Sequence, residues 1–169
     1  VLFQFRGNRV LGVATDSYRL ARVTINASNL PEDLDVIIPS RAMEILRKVD
    51  SDVLMSVTRT HARFSLNNTT IITRIIDERF PPYENVIPAD NDKTAIVNQR
   101  ELVNVIRRVA LFTSSSSRQI KISLEPNILH IHGEDDESGS IADESIACEF
   151  YGAEHFEMGF NHKYLEEAL

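Results

Sequence analysis

The stretch Asp35–Val49, which reads DVIIPSRAMEILRKV, decides the fold because a short apolar strand passes directly into a helical pattern. Apolar residues in the second half recur at the i, i+3, i+4, i+7 spacing of one helix face: Ala42, Ile45, Leu46 and Val49. The pattern predicts a strand over 35–39 and a helix over 40–49. Ser40, which follows Pro39, is the expected N-cap of this helix.

Three strand patterns follow the helix, so the stretch belongs to a unit of one strand, one helix and three strands. Apolar and polar residues alternate over 52–58 and 61–67, and a third β-rich run covers 69–76. Two adjacent asparagines between the last two runs suit a tight hairpin turn. Residues 1–25, ahead of the unit, read as two or three further strands.

The same unit then recurs, which makes an internal repeat the strongest signal in the sequence. The second round comprises a strand over 94–97, a helix over 98–112 and strands over 120–125, 128–132 and 145–151, and residues 156–169 begin a third. The strand-to-helix junctions of the three rounds are IPSRAM from Ile38, VNQREL from Val97 and FNHKYL from Phe160, and they lie about sixty residues apart. Each junction carries a basic residue at the same offset: Arg41, Arg100 and Lys163.

The stretch Arg79–Pro88, RFPPYENVIP, is typical of a stiff connector between domains. Pro81 and Pro82 have a fixed φ and no N–H group, so they cannot continue a sheet ladder. One unit is small for an independent core, whereas two packed together make a plausible domain. The prolines and the polar run that follows them therefore predict two domains, 1–91 and 92–169.

Composition limits the function classes. The chain has 169 residues and a net charge of −7, and that charge argues against a nucleic-acid binder if its distribution is ignored. No run of 18 apolar residues could span a membrane. The one cysteine, Cys148, fits a reducing cytosol. Because the sequence opens on the strand-like VLFQF without a methionine, we expect a fragment of a longer protein.

The positive charge collects on the two complete helices, each of which carries a single acidic residue. Their basic residues are Arg41, Arg47, Lys48, Arg100, Arg107 and Arg108. One interpretation is an ordinary solvated helix face, because arginine and lysine are good helix formers. The other is that equivalent helices of a repeat present a basic face to one polyanion. Such contacts would be with phosphates, so binding would be salt-sensitive and independent of base sequence.

A metal enzyme is the main rival interpretation. His130 and His132 share one face of a strand, and Asp135 and Asp136 follow closely. This pattern is more often a polar strand face that ends in an acidic turn. The sequence also has no glycine-rich phosphate loop and no Ser/His/Asp or Cys/His signature. We therefore expect no catalytic residue and no metal site.

Four segments resemble one known family, the bacterial DNA polymerase III beta subunit or sliding clamp. They are VATDSYRLA (13–21), VIIPSRAMEILRKV (36–49), RIIDERFPPYENVIP (74–88) and YGAEHFEMGFNHKYL (151–165). The resemblance implies an α+β DNA-clamp fold of repeated βαβββ units, with helices lining the DNA hole and antiparallel sheets outside. It also implies that residues 1–91 are part of the middle domain and residues 92–169 part of the C-terminal domain.

The function implied by the resemblance is that of a processivity factor of the bacterial replicative DNA polymerase. Such a clamp is a non-catalytic subunit without a cofactor, and it encircles duplex DNA without sequence specificity. It forms a head-to-tail homodimer ring when full length. It docks the replicative polymerase and the clamp loader through a short hydrophobic motif, and its location is cytoplasmic, with no membrane partner.

The resemblance also implies three sets of site residues. The peptide-binding pocket comprises Thr15, Ser17, Tyr18, Arg19, Leu20, Pro81, Asn85 and Val86. The DNA-facing set is drawn from the six basic helix residues, and because adjacent residues on a helix diverge we favour Arg41, Lys48, Arg100 and Arg107. The dimer interface comprises Leu111, Phe112, Asp143 and Glu144, in a region with further acids at Glu134, Asp135 and Asp136. Phe80 is expected to pack inward, beside the pocket wall.

Departures from the family pattern and two alternatives bear on these expectations. Many relatives have Gly-His where this chain has Ser17 and Tyr18, and Asn85 stands where a basic residue is common, so motif preference is expected to differ. A peptide-binding module without a DNA role would use the same pocket, but it would not need basic residues at equivalent positions in each repeat. Alternatively, the chain as cut is only a structural piece of a working clamp.

Overall fold

A computed structural model describes residues 1–27, 30, 32–152 and 155–169. The chain divides into two compact units, Val1–Ile87 and Pro88–Leu169. Both combine short helices with antiparallel sheets. In the part of the chain that is described, no helix has the length and apolar character needed to cross a membrane.

In its described residues, the first unit contains two sheets and one α-helix. Its strands are β1 (Leu2–Arg6), β2 (Arg9–Thr15), β3 (Leu20–Asn26), β4 (Leu34–Ile37), β5 (Leu54–Val57), β6 (His61–Leu66) and β7 (Thr69–Arg74). They form sheets in the orders β3-β2-β1-β4 and β5-β6-β7, and a bridge between Ile37 and Ile76 connects them. Helix α1 (Ser40–Leu46) packs Ala42 into a core that includes Val36, Ile38 and Phe64.

Helix α1 is shorter than predicted, because its hydrogen-bond pattern changes after the second turn. The Arg47 N–H still bonds to the Met43 carbonyl, but the next two N–H groups bond three residues back instead of four. This tightening ends the α-helix. Ile45 and Val49, which periodicity predicted as part of the inward face, are exposed. Ser40 is the first helical residue rather than a side-chain cap, and Pro39 occupies the N-cap position.

The second unit is one five-stranded sheet with two helices. Its elements are β8 (Thr94–Val97), α2 (Gln99–Val109), β9 (Gln119–Glu125), β10 (Ile128–Asp135), β11 (Ser140–Tyr151), β12 (Phe156–Asn161) and α3 (His162–Ala168), and a 3₁₀ turn, Ala110–Phe112, follows α2. The sheet order is β12-β9-β10-β11-β8. Helix α2 buries Leu102, Val105, Ile106 and Val109 against Ile120, Leu129, Ile131, Cys148 and Phe150.

Asparagine side chains cap both helices of the second unit. Oδ1 of Asn98 accepts a 3.1 Å hydrogen bond from the Glu101 N–H group, and Oδ1 of Asn161 accepts one of 3.0 Å from the Lys163 N–H group. Each asparagine therefore satisfies an N–H group that the first helical turn leaves without an intrahelical partner. Helix α2 accordingly begins one residue after the predicted start.

The acidic segment 133–145 is mostly strand, although the sequence predicted that the flanking strands end at 132 and begin at 145. Strand β10 continues to Asp135 and β11 begins at Ser140. The many acidic residues of this segment concealed an alternation between the two faces of the sheet that continues through it. Residues directly opposite each other in an antiparallel pair share one face of the sheet. Thus Glu144 lies opposite the buried Ile131, whereas Asp143 lies opposite His132 on the other face.

Candidate functional site

An open cavity of about 470 Å³ in the first unit brings together every residue expected in the peptide pocket. Its lining comprises Thr15, Ser17, Tyr18, Arg19, Leu20, Pro81, Pro82, Tyr83, Asn85 and Val86. Sequence reasoning missed Pro82 and Tyr83. The cavity lies between the β2–β3 loop and the segment after β7, so two distant pieces of sequence make its two sides.

Hydrogen bonds within the β2–β3 loop hold one side of the cavity, where residues 15–19 are all exposed. Asp16 Oδ1 accepts from the N–H groups of Tyr18 (3.1 Å) and Arg19 (3.0 Å), and Oδ2 accepts from Arg19 Nε (2.9 Å). Burial works to raise the pKa of Asp16, but the hydrogen bonds from Arg19 and Tyr18 outweigh it and hold that pKa below its usual value.

The Thr15 hydroxyl fixes the path of this loop near Ser17 through two hydrogen bonds. The Thr15 hydroxyl donates a 2.8 Å bond to the Arg19 carbonyl and accepts a 3.2 Å bond from the Ser17 N–H group. Ser17 has a φ of 75°, in the left-handed region that side chains other than glycine adopt at a cost. The serine occupies a position at which the backbone favours glycine.

The opposite wall is a diproline followed by a short 3₁₀ helix, Tyr83–Val86. Tyr83 is 6% exposed, and its hydroxyl donates a 2.7 Å hydrogen bond to Gln4 Oε1. Phe80 lies edge-on to Tyr83, with ring centroids 6.3 Å apart, and packs in the same cluster as Leu2 and Val13. The expected inward packing of Phe80 is confirmed. Burial, and then the neighbouring Glu84, raise the pKa of Tyr83.

The open side of the cavity presents apolar surface to solvent. Tyr18 is 80% exposed and Val86 69% exposed, and the rings of Pro81 and Pro82 lie beside them. Concave surfaces with apolar walls and a few polar groups are the usual form of ligand sites in proteins. The arrangement suits a short segment that inserts apolar side chains while its backbone stays near solvent.

The four residues expected to face DNA are exposed, but they differ in their surroundings. Arg41 lies in the first turn of α1, where it pairs with Glu44 at 3.0 Å, and Lys48 lies just beyond the end of that helix. Arg100 lies in the first turn of α2. Arg107 lies in the last turn of α2, and its Nε donates a 2.7 Å bond to Glu166 of α3.

Adjacent arginines at the end of α2 point to different neighbours. Arg108 Nε donates a 2.6 Å bond to Glu144 of β11, and a second bond joins the same two side chains. The hydrogen bond from Arg108 lowers the pKa of Glu144. Glu144, which was expected at a subunit interface, thus already has a basic partner within its own unit.

The remaining interface residues lie near the carboxyl end of α2 and on the β10–β11 hairpin. Leu111 is 80% exposed and Phe112 42% exposed. Asp143 bonds to His132 Nδ1 at 2.8 Å, and Glu134 lies 3.5 Å from His132 Nε2. His130 bonds to the Ser145 hydroxyl. Among the described residues, no cluster of three or more histidine, cysteine or acidic side chains could hold a metal ion.

Comparison with known protein families matches both units to domains of one protein family. Residues 1–82 match the family described as DNA polymerase III beta subunit, central domain. Residues 84–169 match the family described as DNA polymerase III beta subunit, C-terminal domain. The two matches follow one another along the chain in the order of the domains they describe.

Curated relatives and solved structures agree with these matches. The beta sliding clamp of Pseudomonas aeruginosa is 28% identical over all of this chain and 47% of its own length, and that of Haemophilus influenzae is 30% identical over 99% and 46%. The crystal structure of DNA polymerase III subunit beta from Pseudomonas aeruginosa matches 98% of this chain and 47% of that one, with a TM-score of 0.91 at 27% identity. A sliding clamp from the same organism, bound to griselimycin, matches with a TM-score of 0.89 at 28% identity, over 98% of this chain and 46% of that one.

The chain therefore spans about half the length of the curated relatives it matches. Within that span the agreement is continuous, from the β1–β3 strands through the cavity wall to α3. The expected α+β clamp architecture is confirmed by the agreement with solved clamps. With family matches over residues 1–82 and 84–169, the chain belongs to the DNA polymerase III beta subunit family, the family of the bacterial beta sliding clamp.

Proposed function

We propose that this chain works as part of a sliding clamp, a non-catalytic processivity factor that encircles duplex DNA in the cytoplasm. Residues 1–91 would contribute to its middle domain and residues 92–169 to its C-terminal domain. The replicative polymerase and the clamp loader would dock through a short hydrophobic motif. The observation that carries this proposal is the cavity formed by the Thr15–Leu20 segment and the Pro81–Val86 segment.

Apolar, rigid and partly open surfaces favour the docking of a short peptide. Proline rings lose little conformational freedom on binding, and Tyr18 and Val86 offer exposed apolar surface beside them. The cavity volume is within the usual range of small-ligand sites, so the cavity is large enough to hold a few side chains of a peptide.

The experiment is a titration with a fluorescent peptide that carries a glutamine followed by a leucine–phenylalanine pair. Wild type should bind saturably, and Tyr18→Ala should weaken binding about tenfold or more, because aromatic anchors dominate such interfaces. Tyr151→Ala removes another exposed tyrosine, one that lies outside the cavity, and should leave the affinity unchanged. Equal affinities for wild type and Tyr18→Ala would overturn the proposed docking site.

Contact with DNA would be made by exposed basic groups of Arg41, Lys48, Arg100 and Arg107. Such contacts are with phosphates, so those of Lys48 and Arg100 should weaken steeply as salt concentration rises. Arg100→Ala should reduce the slope of log affinity against log salt by about one, whereas Arg63→Ala, on strand β6, should not. Equal slopes for the two variants would contradict a DNA-facing role for Arg100.

Subunit association would use the exposed pair Leu111 and Phe112, together with Asp143 and Glu144. Exposed apolar patches of this kind mark association sites. Sedimentation of wild type should reveal self-association that Phe112→Asp abolishes. A single monomeric species for wild type, with unchanged solubility of the variant, would sink this part of the proposal.

A further inference from the structure

The loop between β2 and β3 forms one side of the cavity, and hydrogen bonds within the loop hold its backbone. Thr15 through Arg19 are all exposed, and Tyr18 is 80% exposed. Exposed loops ordinarily sample several conformations. Hydrogen bonds to the N–H groups of Tyr18 and Arg19 oppose this and fix the backbone from which the two side chains extend.

Asp16 is the centre of those hydrogen bonds, although its own side chain does not line the cavity. One carboxylate oxygen accepts from two successive N–H groups, those of Tyr18 and Arg19, and the other accepts from the Arg19 guanidinium. A side-chain oxygen that accepts from N–H groups two and three residues ahead closes an Asx-type turn. This turn imposes the backbone path on which Tyr18 and Arg19 are carried.

The path so imposed is not one that the chain would choose freely. Ser17 is held at a φ of 75°, which is unfavourable for a residue with a Cβ atom. Without the Asp16 carboxylate, the loop would gain by releasing Ser17 toward ordinary backbone angles. Asp16 therefore works against a local preference that would disperse the cavity residues.

We infer that Asp16 is a positioning residue for peptide docking: it pre-organises Tyr18 and Arg19 on the cavity rim without contacting the peptide. The inference rests on the proposed function, because it concerns the same cavity. Pre-organisation raises affinity by reducing the ordering that binding would otherwise require. The cavity-lining residues then depend on a neighbour that makes no contact of its own.

The test compares Asp16→Ala with Asp16→Asn in the labelled-peptide titration. Asparagine keeps an oxygen that can accept from both N–H groups, whereas alanine removes it. Asp16→Ala should weaken binding about tenfold, and Asp16→Asn should stay within about threefold of wild type. Asp92→Ala, which removes an exposed aspartate paired with the adjacent Lys93, should bind as wild type does. Unchanged binding by Asp16→Ala, or an equal loss in both Asp16 variants, would overturn the inference.

Hydrogen exchange of the Tyr18 and Arg19 amides, measured without peptide, separates this inference from the proposed function. Exchange should quicken in Asp16→Ala and stay slow in Asp16→Asn. If wild type fails to bind the peptide while this exchange pattern holds, peptide docking is wrong and the role of Asp16 in positioning the loop stands. If the two amides exchange equally fast in wild type and Asp16→Ala, the positioning role is wrong whatever the peptide does.

Discussion

The Tyr83 hydroxyl donates a 2.7 Å hydrogen bond to Oε1 of Gln4, joining residues 79 positions apart in the sequence. Gln4 in turn donates to Asp35 Oδ2 at 3.1 Å, and Asp35 is paired with Arg6. This chain of polar contacts attaches the 3₁₀ wall of the cavity to strands β1 and β4. The wall is therefore held by the sheet, in contrast to the opposite loop, which is held by its own hydrogen bonds.

Tyr83→Phe tests this attachment, since it removes the hydroxyl and keeps the ring. The free energy of unfolding should fall by about 1 kcal/mol, the usual net contribution of one hydrogen bond. Urea unfolding would measure the change. Tyr151→Phe is the matched control, because the Tyr151 hydroxyl bonds to Glu149 on an exposed strand and should contribute little. Equal effects of the two substitutions would mean that the bond to Gln4 does not anchor the wall.

Ser17→Gly should stabilise the chain, because glycine adopts a positive φ without steric strain. The gain should be about 0.5–1 kcal/mol, after subtracting the larger conformational entropy of glycine in the unfolded chain. The reverse change at Gly7, which has a φ of 56° in the β1–β2 turn, provides the control. Gly7→Ser should destabilise by about 1 kcal/mol even though its Cβ would meet open space. Thermal unfolding of the pair would contradict the strain argument if both midpoints moved in the same direction.

Gly133→Ala should destabilise the second unit, because strand β10 passes close to the end of α2 at this residue. An added Cβ would lie 2.7 Å from Val109 Cγ1 and 2.8 Å from Thr113 Cγ2, closer than real contacts allow. Overpacking of this kind costs about 1–3 kcal/mol. Gly12→Ala, on strand β2 with open space around the new methyl group, should change the unfolding free energy much less. A comparable loss in both variants would indicate a general intolerance of alanine in strands instead.

The interactions of His132 with Asp143 and Glu134 should make the stability of the β10–β11 hairpin depend on pH. The hydrogen bond to Asp143 raises the pKa of His132, burial opposes it, and Glu134 adds to the increase. Because the folded pKa lies above the unfolded value, the stabilisation is complete below about pH 6.5 and is lost as pH rises through the folded pKa. In urea unfolding, the contribution of His132 to the unfolding free energy should therefore be larger at pH 6 than at pH 8.5, whereas His162, whose pKa is lowered by burial, contributes in the opposite direction.

His132→Gln should reduce that pH difference, since glutamine does not titrate. His130→Gln, on the same strand and beside Ser145, should retain it. A pH difference that is unchanged in His132→Gln would assign the effect to another group.

Much of the fold could be read from sequence periodicity, and helix α2 is the clearest case. Periodicity predicts that Leu102, Ile106, Val109 and Ala110 face inward; the first three are buried and Ala110 is half-buried. The same rule overextended α1, because the exposed Ile45 and Val49 match the apolar spacing equally well. What ended the helix was a change in hydrogen bonding, which periodicity does not encode.

The residues that line the cavity were predictable mainly through family resemblance. The residues that hold its two sides in place were not predicted. Tyr83 was missed because its importance comes from a contact with Gln4, remote in sequence. Asp16 carried a local signal, since an aspartate followed by a turn is typical of an Asx motif. The extent of the acidic hairpin was missed because charge was weighed above the alternation that continues through Gly133 and Ala142.

The ion pair between Arg107 and Glu166 would affect movement along a duplex if Arg107 makes the proposed contact with DNA. If Arg107 meets a phosphate, it must leave a carboxylate, and that carboxylate will attract a cation from solution. The cation taken up offsets the one released from the DNA, so this contact should be nearly independent of salt. When Arg107 exchanges the Glu166 carboxylate for a phosphate, it replaces one anionic partner by another, so the net free energy of the exchange is small. Arg107 should therefore resist displacement of the duplex less than an arginine without an internal partner would.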